Sequence, residues 1–476
     1  MASSTLYNEL LNTLKEYGQE HLLRFWDDLN EGQKDKLADQ IKAYDWAKMN
    51  DCIEKYVINK PEYSIPEDLE PAPYYPVHPH SDKQRKLYEK AAKKGGKELK
   101  HGKVAAFTVA GGQGTRLGFD GPKGTFPIAP ISGKTLFQLF AEMIVCTQDK
   151  YNTVIPWYIL TSPVNHADTE NFFEENDYFG LDRKHVSFVQ QGTMPAVGFD
   201  GKVLLEEPDS MALSPDGHGG ALEALKKSGA LDDMRERGIE HISYWQVDNP
   251  LVQPFDKLFL GLHTLEDSDM SCRSLTKTGP FEKLGNFCIS GGKIMVIEYS
   301  DMPSDLARAQ DASGRLRFRE GSPAIHIFKR DFVESLTSSG DLNLPFHRAE
   351  KKVPYVDENG NKVHPEDKNA VKLEKFIFDA LPKANNVVIL QAERHEHFAP
   401  LKSSTGQDSI ETCRQMMQNR SATWLERAGI SVPRNEAGHL DCEIEMTPKL
   451  YAEHEDVAKH ADKLTTPNRG TKENYE

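Results

Sequence analysis

The chain has 476 residues, of which 38% are hydrophobic and 28% charged, a balance typical of a globular protein with two or three domains. Its formal net charge of −15 disfavours nucleic acid as a partner, since no basic stripe with interleaved aromatic residues offsets it. The sequence contains no apolar run long enough for a membrane span and none of the segments of a signal peptide.

Six cysteines are spread along the chain without a Cys-x-x-Cys pair. In a chain of this size, such spacing indicates reduced, partly buried thiols rather than a disulfide framework or a zinc site. We therefore expect a cytoplasmic protein that binds neither membranes nor nucleic acid.

The first hundred residues predict a helical segment followed by a linker. Apolar residues recur at helical spacing over residues 5–58, and a proline-rich run between Pro61 and Pro79 indicates an extended connection. The lysine-rich stretch Lys83–Lys103 predicts a helix with a solvated face that breaks at a Gly-Gly pair. We assign residues 1–100 to this N-terminal helical segment and its linker.

From residue 104 onward, candidate buried strands alternate with helical segments. Thr135–Thr147 has the apolar periodicity of a helix, and strand candidates are Val104–Ala110, Ile155–Leu160, Val186–Gln190, Ile242–Val247, Ser271–Thr276, Lys293–Glu298 and Val387–Gln391. This alternation predicts an α/β fold with a doubly wound, mostly parallel sheet. We expect the main domain over residues 101–400 and a small C-terminal domain over 401–476, whose polar tail beyond Thr447 frays.

A glycine-rich loop follows the first of these strands. Gly111, Gly112 and Gly114 allow the backbone to approach a ligand closely and to direct N–H groups at anionic oxygens, and Arg116 adds a forked phosphate donor. The dinucleotide-binding fingerprint does not fit, because Leu117 lies where its third glycine belongs. A P-loop does not fit either, because Ile128 lies where the first glycine of that motif would precede Gly133-Lys134-Thr135.

The loop Ala110–Gly118, with Pro122-Lys123-Gly124 after it, resembles the signature of the eukaryotic-type UDP-sugar pyrophosphorylases. Within that family it is most similar to the UDP-N-acetylhexosamine enzymes. Further segments in family order are Gly18–Trp26, Ile155–Ile159, Phe188–Gly192, Pro215–Gly220, Val247–Asn249, Lys372–Phe376 and Pro400–Lys402. The resemblance implies a Rossmann-like, nucleotidyltransferase A-type fold. It also implies a Mg²⁺-assisted transfer from UTP to a sugar 1-phosphate that yields a UDP-sugar and pyrophosphate.

The resemblance also implies roles for individual residues. Arg116, Lys123 and Lys402 are the expected catalytic cations, and Asp248 is the expected Mg²⁺ ligand. Asp248 follows a predicted strand, and ligands of open α/β folds bind at that end of the sheet. The expected nucleotide-binding residues are Ala110, Gly111, Gly112, Gly114, Thr115, Gln191, Gly217 and Lys372, with Gln191 and Gly217 contacting the uracil.

The expected sugar-binding residues are His218, Gly285, Glu298 and Ile325. Gly285 and Glu298 match the family, whereas His218 and Ile325 stand where the N-acetylhexosamine enzymes carry asparagines. Losing an amide from a closed pocket costs about 1–3 kcal/mol. The resemblance predicts N-acetylglucosamine 1-phosphate as the acceptor, whereas the two replaced asparagines leave glucose 1-phosphate or another hexose 1-phosphate open.

Two other functions remain to be compared with this one. A non-catalytic UDP-sugar sensor would share the fold, but Arg116, Asp248 and Lys402 are all present. A dinucleotide-dependent oxidoreductase lacks the third glycine of its fingerprint. The resemblance also implies that the C-terminal region, implicated in subunit contacts in relatives, is shorter than in the animal enzymes. We therefore expect a monomer or a weak homo-oligomer.

Overall fold

The computed structural model describes residues 2–60, 64–338, 342 and 344–476. Short 3₁₀- and π-helical turns extend the helical character of the N-terminal segment at Glu20–Leu23, Trp26–Asp28 and Ile53–Ile58. The α-helices are α1 Ala2–Glu16, α2 Glu31–Lys42, α3 Trp46–Cys52, α4 Asp82–Lys100, α5 Leu136–Tyr151, α6 His166–Glu175, α7 Gly220–Lys227, α8 Ala230–Glu236, α9 Lys257–Leu265, α10 Ser304–Arg308, α11 Arg330–Thr337, α12 Arg394–His397, α13 Ile410–Arg427 and α14 His454–Lys459.

The strands are β1 Glu70–Pro71, β2 Val104–Val109, β3 Trp157–Thr161, β4 Val186–Gln190, β5 Thr193–Pro195, β6 Val197–Gly198, β7 Leu205–Glu207, β8 Ser210–Met211, β9 Leu213–Pro215, β10 His241–Gln246, β11 Met270–Thr276, β12 Gly285–Ser290, β13 Lys293–Ile297, β14 Glu320–Ser322, β15 His326–Lys329, β16 Phe346–Lys351, β17 Tyr355–Val356, β18 Lys362–Val363, β19 Ala370–Lys375, β20 Val387–Gln391, β21 Glu443–Met446 and β22 Lys472–Tyr475. Every strand predicted above is present, with ends that differ by at most two residues.

One compact unit comprises residues 1–64, 191–221 and 343–379. Its strands β16, β19 and β6 form an antiparallel sheet. The N-terminal helices belong to this unit, and their apolar residues share a core with residues such as Val197 and Leu373. Helices α1, α2 and α3 and the short helical turns lie within residues 2–58.

The second unit comprises residues 65–190, 222–342 and 380–476. The largest sheet in the described part of the chain has 11 strands and lies in this unit, with the order β1-β12-β14-β11-β15-β10-β2-β3-β4 and with β13 and β20 pairing to β12 and β11. β10, β2, β3 and β4 are parallel neighbours. An extended core of apolar residues from the helices packs with these strands.

The prediction of a mostly parallel sheet is wrong for the rest of this sheet, which is mixed. β15 runs antiparallel to both β10 and β11, and β12, β13 and β14 pair antiparallel as well. The connection from β12 to β13 is the pair Gly291-Gly292, with both residues at positive φ. Such a two-residue turn can join only antiparallel strands, because a parallel connection needs a crossover of a dozen residues or more.

A further prediction needs correction. The tail does not fray, because β22 pairs in parallel with β21 and Tyr475 is buried. The proline-rich linker starts at Pro61, outside the described residues, and its described part pairs with the sheet through β1.

All six cysteines are free thiols, as predicted, and five are buried. No helix in the described ranges combines the length and the apolarity needed to cross a membrane.

The Gly-Gly pair at 95–96 does not break its helix, since α4 continues through it to Lys100. A Cβ atom at Gly95 would lie 1.9 Å from the carbonyl oxygen of Lys257, and one at Gly261 would lie 1.7 Å from that of Ala91. The glycines thus allow α4 and α9 to pack with their backbones in contact, and this packing offsets the low helix propensity of glycine.

We expect Gly95→Ala to lower the free energy of unfolding by about 1–3 kcal/mol or more, because the methyl group would force the two helices apart. The measurement is urea unfolding followed by tryptophan fluorescence.

Gly96→Ala is the matched control. A Cβ at Gly96 would meet only the Tyr151 side chain at 3.7 Å, an ordinary contact. Alanine there is expected to be neutral or to stabilise by up to about 1 kcal/mol. Equal destabilisation by both substitutions would contradict the close packing of α4 and α9.

Candidate active site

The glycine loop leaves β2 after Val109 and is fastened at its start. The Ala110 N–H donates to the Leu160 carbonyl at 2.8 Å, which continues the parallel pairing of β2 with β3. The buried amide of Asn165 donates to the carbonyl oxygens of Ala110 at 2.9 Å and of Gly112 at 3.3 Å. These bonds turn the loop carbonyls toward Asn165.

The N–H groups of the same loop remain available. Among the described residues, no acceptor receives the N–H groups of Gly111, Gly112 or Gln113. Gly114 allows a tight fold, since a Cβ there would lie 2.7 Å from the Phe119 ring. A row of unpaired backbone donors in a glycine-rich loop is suited to anionic oxygens.

Two backbone bonds across the loop bring Lys123 next to its start. Gly114 donates to the Gly121 carbonyl at 2.9 Å, and Lys123 donates to the Gly112 carbonyl at 3.0 Å. The Lys123 side chain is only 6% exposed, and its ammonium donates to the Leu401 carbonyl at 3.4 Å. Burial lowers the pKa of Lys123, and this effect is opposed by Asp248 and reinforced by Lys402 and Arg116.

Asp248 lies two residues after the end of β10 and is 8% exposed. Its carboxylate oxygen Oδ2 forms an ion pair with the ammonium of Lys402. Burial acts to raise the pKa of Asp248, but Lys402 and Lys123 outweigh it, so this pKa lies below its usual range. Asp248 is therefore a charged carboxylate between two lysines.

Asn249 fixes the segment that carries Lys402. Its amide donates to the His397 carbonyl at 2.7 Å and accepts from the Ala399 N–H at 3.0 Å. Next along the chain, the Leu401 N–H donates to the Asp248 carbonyl at 2.8 Å. The residues after β10 thus position residues about 150 places later in the chain.

Arg116 completes this group. The Ser404 N–H donates to its carbonyl at 3.1 Å, and its side chain is exposed. The structure therefore brings together the predicted glycine loop, Asp248 and the three predicted cations Arg116, Lys123 and Lys402. Lys123 and Lys402 both act on Asp248, Arg116 acts on Lys123, and Asp408 is a second carboxylate near Lys402. The cations together with the unpaired N–H groups of the loop suit a polyphosphate.

The other unit contains Gln191, Gly217, His218 and Lys372. Gln191 is buried, and its Nε2 donates to Asp216 Oδ1 at 3.1 Å and to the Gly217 carbonyl at 2.7 Å. Gly217 has a φ of +86°, and a Cβ there would lie 2.4 Å from the Lys375 carbonyl, so no other residue fits. Gln191 and Gly217 are therefore neighbours, as they must be if both contact the uracil.

The His218 ring is held by its neighbours. Its Nδ1 accepts from the Ile377 N–H at 3.2 Å, and the ring stacks on Phe376 at a centroid distance of 5.2 Å. The proton of the neutral ring is therefore on Nε2. Lys372 lies in β19 opposite Ala349 and is half-buried.

The remaining predicted sugar residues lie in the larger unit. Gly285 and Glu298 are neighbours, since a Cβ at Gly285 would lie 3.1 Å from Glu298 Oε1. Ile325 belongs to the main apolar core, with 4% of its surface exposed. Next to Gly285, the buried ammonium of Lys277 donates to Asn286 Oδ1.

Sequence reasoning missed Asp216, Asn249 and Lys277. Asp216 directly precedes the predicted residue Gly217, and Asn249 directly follows Asp248. Their places in these motifs could have identified them from the sequence. Nothing in the sequence indicated a role for Lys277, because a single lysine after a strand is most often solvated.

A sequence model of the family described as UTP–glucose-1-phosphate uridylyltransferase matches residues 56–467. The chain is 35% identical over 440 residues to UDP-N-acetylglucosamine diphosphorylase 2 of Arabidopsis thaliana, covering 89% of this chain and 86% of the relative. It is 32% identical over 468 residues to the UDP-N-acetylglucosamine pyrophosphorylase of Saccharomyces cerevisiae, covering 94% and 96% of the two chains.

Solved structures agree with these similarities. The uridine diphosphate N-acetylglucosamine pyrophosphorylase of Trypanosoma brucei, crystallised with an inhibitor, superposes with a TM-score of 0.82 at 25% identity. The match covers 96% of this chain and 95% of that one.

We expect Asn249→Ala to lower the free energy of unfolding by at least about 2 kcal/mol, because it leaves the buried groups of His397 and Ala399 unpaired. The measurement is again urea unfolding.

Asn176→Ala is the control for the loss of an amide. Asn176 is exposed and donates to a single carbonyl, that of Phe172, at 2.8 Å. A change within about 0.5 kcal/mol is expected there. If Asn249→Ala were equally mild, Asn249 would not be what holds the Lys402 segment.

Proposed function

Because the chain belongs to the UTP–glucose-1-phosphate uridylyltransferase family, we propose that it transfers the uridylyl group of UTP to a sugar 1-phosphate, giving a UDP-sugar and pyrophosphate. The observation that carries this proposal is the pair Lys123 and Lys402 acting on Asp248, with Arg116 acting on Lys123, beside a loop with unpaired N–H groups. That arrangement suits a triphosphate that reacts at its α-phosphorus.

In the reaction, an oxygen of the sugar 1-phosphate attacks the α-phosphorus of UTP. The bond from that phosphorus to the bridging oxygen breaks, and pyrophosphate leaves with the electron pair. The protein needs no covalent step, only alignment of the reactants and neutralisation of charge. Lys123 and Lys402 supply fixed positive charge, and the N–H groups of Gly111 and Gly112 bind phosphate oxygens.

We propose that Asp248 holds Mg²⁺. Magnesium is commonly bound by one or two carboxylates together with substrate phosphates and water, so a single carboxylate is sufficient. Lys402 bonds to Oδ2 of Asp248, and the carboxylate can offer its other oxygen to the metal. When bound, Mg²⁺ would neutralise charge on the phosphate oxygens.

The nucleotide is proposed to bind with its uracil against Gln191 and Gly217 and with a phosphate near Lys372. For the sugar we propose N-acetylglucosamine 1-phosphate, because relatives at 35% and 32% identity are named for UDP-N-acetylglucosamine. Gly285, Glu298, His218 and Ile325 are the proposed sugar-binding residues.

The finer features of the fold also belong to the proposal. We propose that the fold comprises a Rossmann-like core, an N-terminal helical segment and a small C-terminal domain. A separate apolar cluster that includes Trp424, Ile444 and Tyr475 supports the latter. The six free thiols support a reducing, cytoplasmic location. A monomer or weak homo-oligomer remains our expectation.

We expect Asp248→Asn to lower Mg²⁺-dependent pyrophosphate release by at least about a hundredfold, because the substitution removes the metal ligand and the partner of Lys402. The measurement is a coupled pyrophosphate assay with UTP and N-acetylglucosamine 1-phosphate.

Asp149→Asn, at an exposed position of α5, is the matched control and should keep full activity. A fully active Asp248→Asn enzyme would remove Asp248 from the mechanism. A wild-type protein that binds UDP-sugar but releases no pyrophosphate would favour the sensor function instead.

The sugar is tested with a panel of N-acetylglucosamine, N-acetylgalactosamine, glucose, galactose and glucuronate 1-phosphates. We expect the highest kcat/KM for N-acetylglucosamine 1-phosphate, and we expect His218→Asn to change the ratio between it and glucose 1-phosphate by several-fold.

A measured preference for glucose 1-phosphate would replace the proposed sugar while leaving the reaction class intact. An unchanged ratio in His218→Asn would remove His218 from sugar selection.

A further inference from the structure

The amide of Gln191 is held in one orientation by two acceptors. Its Nε2 donates to Oδ1 of Asp216 at 3.1 Å and to the Gly217 carbonyl at 2.7 Å, which uses both of its N–H groups. A flipped amide would direct Oε1 at a carboxylate and a carbonyl, neither of which can donate. Only the oxygen of Gln191 is therefore left for a ligand.

Asp216 is itself fixed at its backbone and at its side chain. Its N–H donates to the Gly192 carbonyl at 3.1 Å, and its carbonyl accepts from the Lys375 N–H at 2.7 Å. A Cβ at Gly192 would lie 2.7 Å from the carboxylate, and one at Gly220 would lie 2.2 Å from it. Both neighbours leave room only because they are glycines, so the 7%-exposed carboxylate fills a closely fitting space.

This geometry has a chemical consequence for the choice of nucleobase. N3 of uracil carries a hydrogen and donates, whereas N3 of cytosine is an acceptor. An amide oxygen fixed as an acceptor pairs with the first and repels the second. Beside it, no acceptor in the described part of the chain receives the N–H of Gly217, which can donate to a uracil carbonyl.

We propose that Asp216 is a positioning residue that fixes the amide of Gln191 and so makes the enzyme select UTP over CTP. This inference rests on the proposed function, in which Gln191 contacts the uracil. Asp216 acts through Gln191 and does not touch the base. Because its carboxylate can only accept, it enforces an orientation that a neutral amide at the same place would not.

The test is Asp216→Asn, which keeps the shape of the side chain and adds a donor. The introduced amide can donate to Oε1 of Gln191, so of the two acceptors that hold the Gln191 amide only the Gly217 carbonyl remains. Reversal of the Gln191 amide, which presents its N–H groups to cytosine, then costs less free energy. We expect the ratio of kcat/KM for UTP to that for CTP to fall by about tenfold or more. A merely structural role would lower both values together and leave the ratio unchanged.

Asp35→Asn is the control, since Asp35 is exposed on α2 in the same unit, and its UTP-to-CTP ratio should equal that of the wild type. Binding of UDP and CDP, measured by calorimetry, gives the same ratio without turnover. A folded Asp216→Asn variant whose two ratios stay within twofold of the wild type would overturn the inference.

The wild-type protein provides a test that does not depend on the folding of a variant. With the Gln191 amide fixed, CTP and N3-methyl-UTP should both be disfavoured at least tenfold against UTP. Comparable use of CTP and UTP would overturn the inference while leaving uridylyl transfer intact. Absence of pyrophosphate release with UTP would instead remove the proposed function, and the UDP-to-CDP binding ratio would still decide the role of Asp216.

Discussion

β2 and β10 run parallel and in register, with Val109 opposite Gln246, so the loops that follow them leave the sheet side by side. The first loop carries the glycines and Lys123, and the second carries Asp248 and Asn249. Because both strands are buried along their length, this alignment is set by the core rather than by the loops. Asn249 then ties the distant Lys402 segment to the same strand end. The position of every charge in the group follows from this register.

The electrostatics of the group favour a bound anion. Lys123 is buried among other cations, and a buried ammonium is costly unless an opposite charge compensates it. Asp248 compensates only part of the positive charge on Lys123, since it also forms an ion pair with Lys402. The loop contributes N–H groups that have no partner in the described ranges. The charged side chains and the backbone N–H groups come from separate parts of the chain, and both favour a polyphosphate as the ligand.

The sequence was most informative where local chemistry determines structure. Apolar runs such as Val104–Val109 predicted the buried strands, and the glycine loop and Asp248 were located by their place at strand ends. It was least informative where a tertiary contact overrides local preference. The Gly95-Gly96 pair favours a break, yet α4 continues because α9 needs that space. The mixed sheet could have been predicted from Gly291-Gly292, whereas the buried Lys277 and the orientation of the Gln191 amide depend on residues distant in sequence.

The smaller unit is assembled from three separate stretches of chain, and this affects its synthesis. The N-terminal helices leave the ribosome well before Val197 and Leu373, which complete their core. At roughly 5–20 residues per second, Val197 follows Val57 by about 7 to 28 seconds. During that interval the apolar faces of α1 to α3 lack their partners, which makes this nascent segment a natural client for chaperones that bind early in translation.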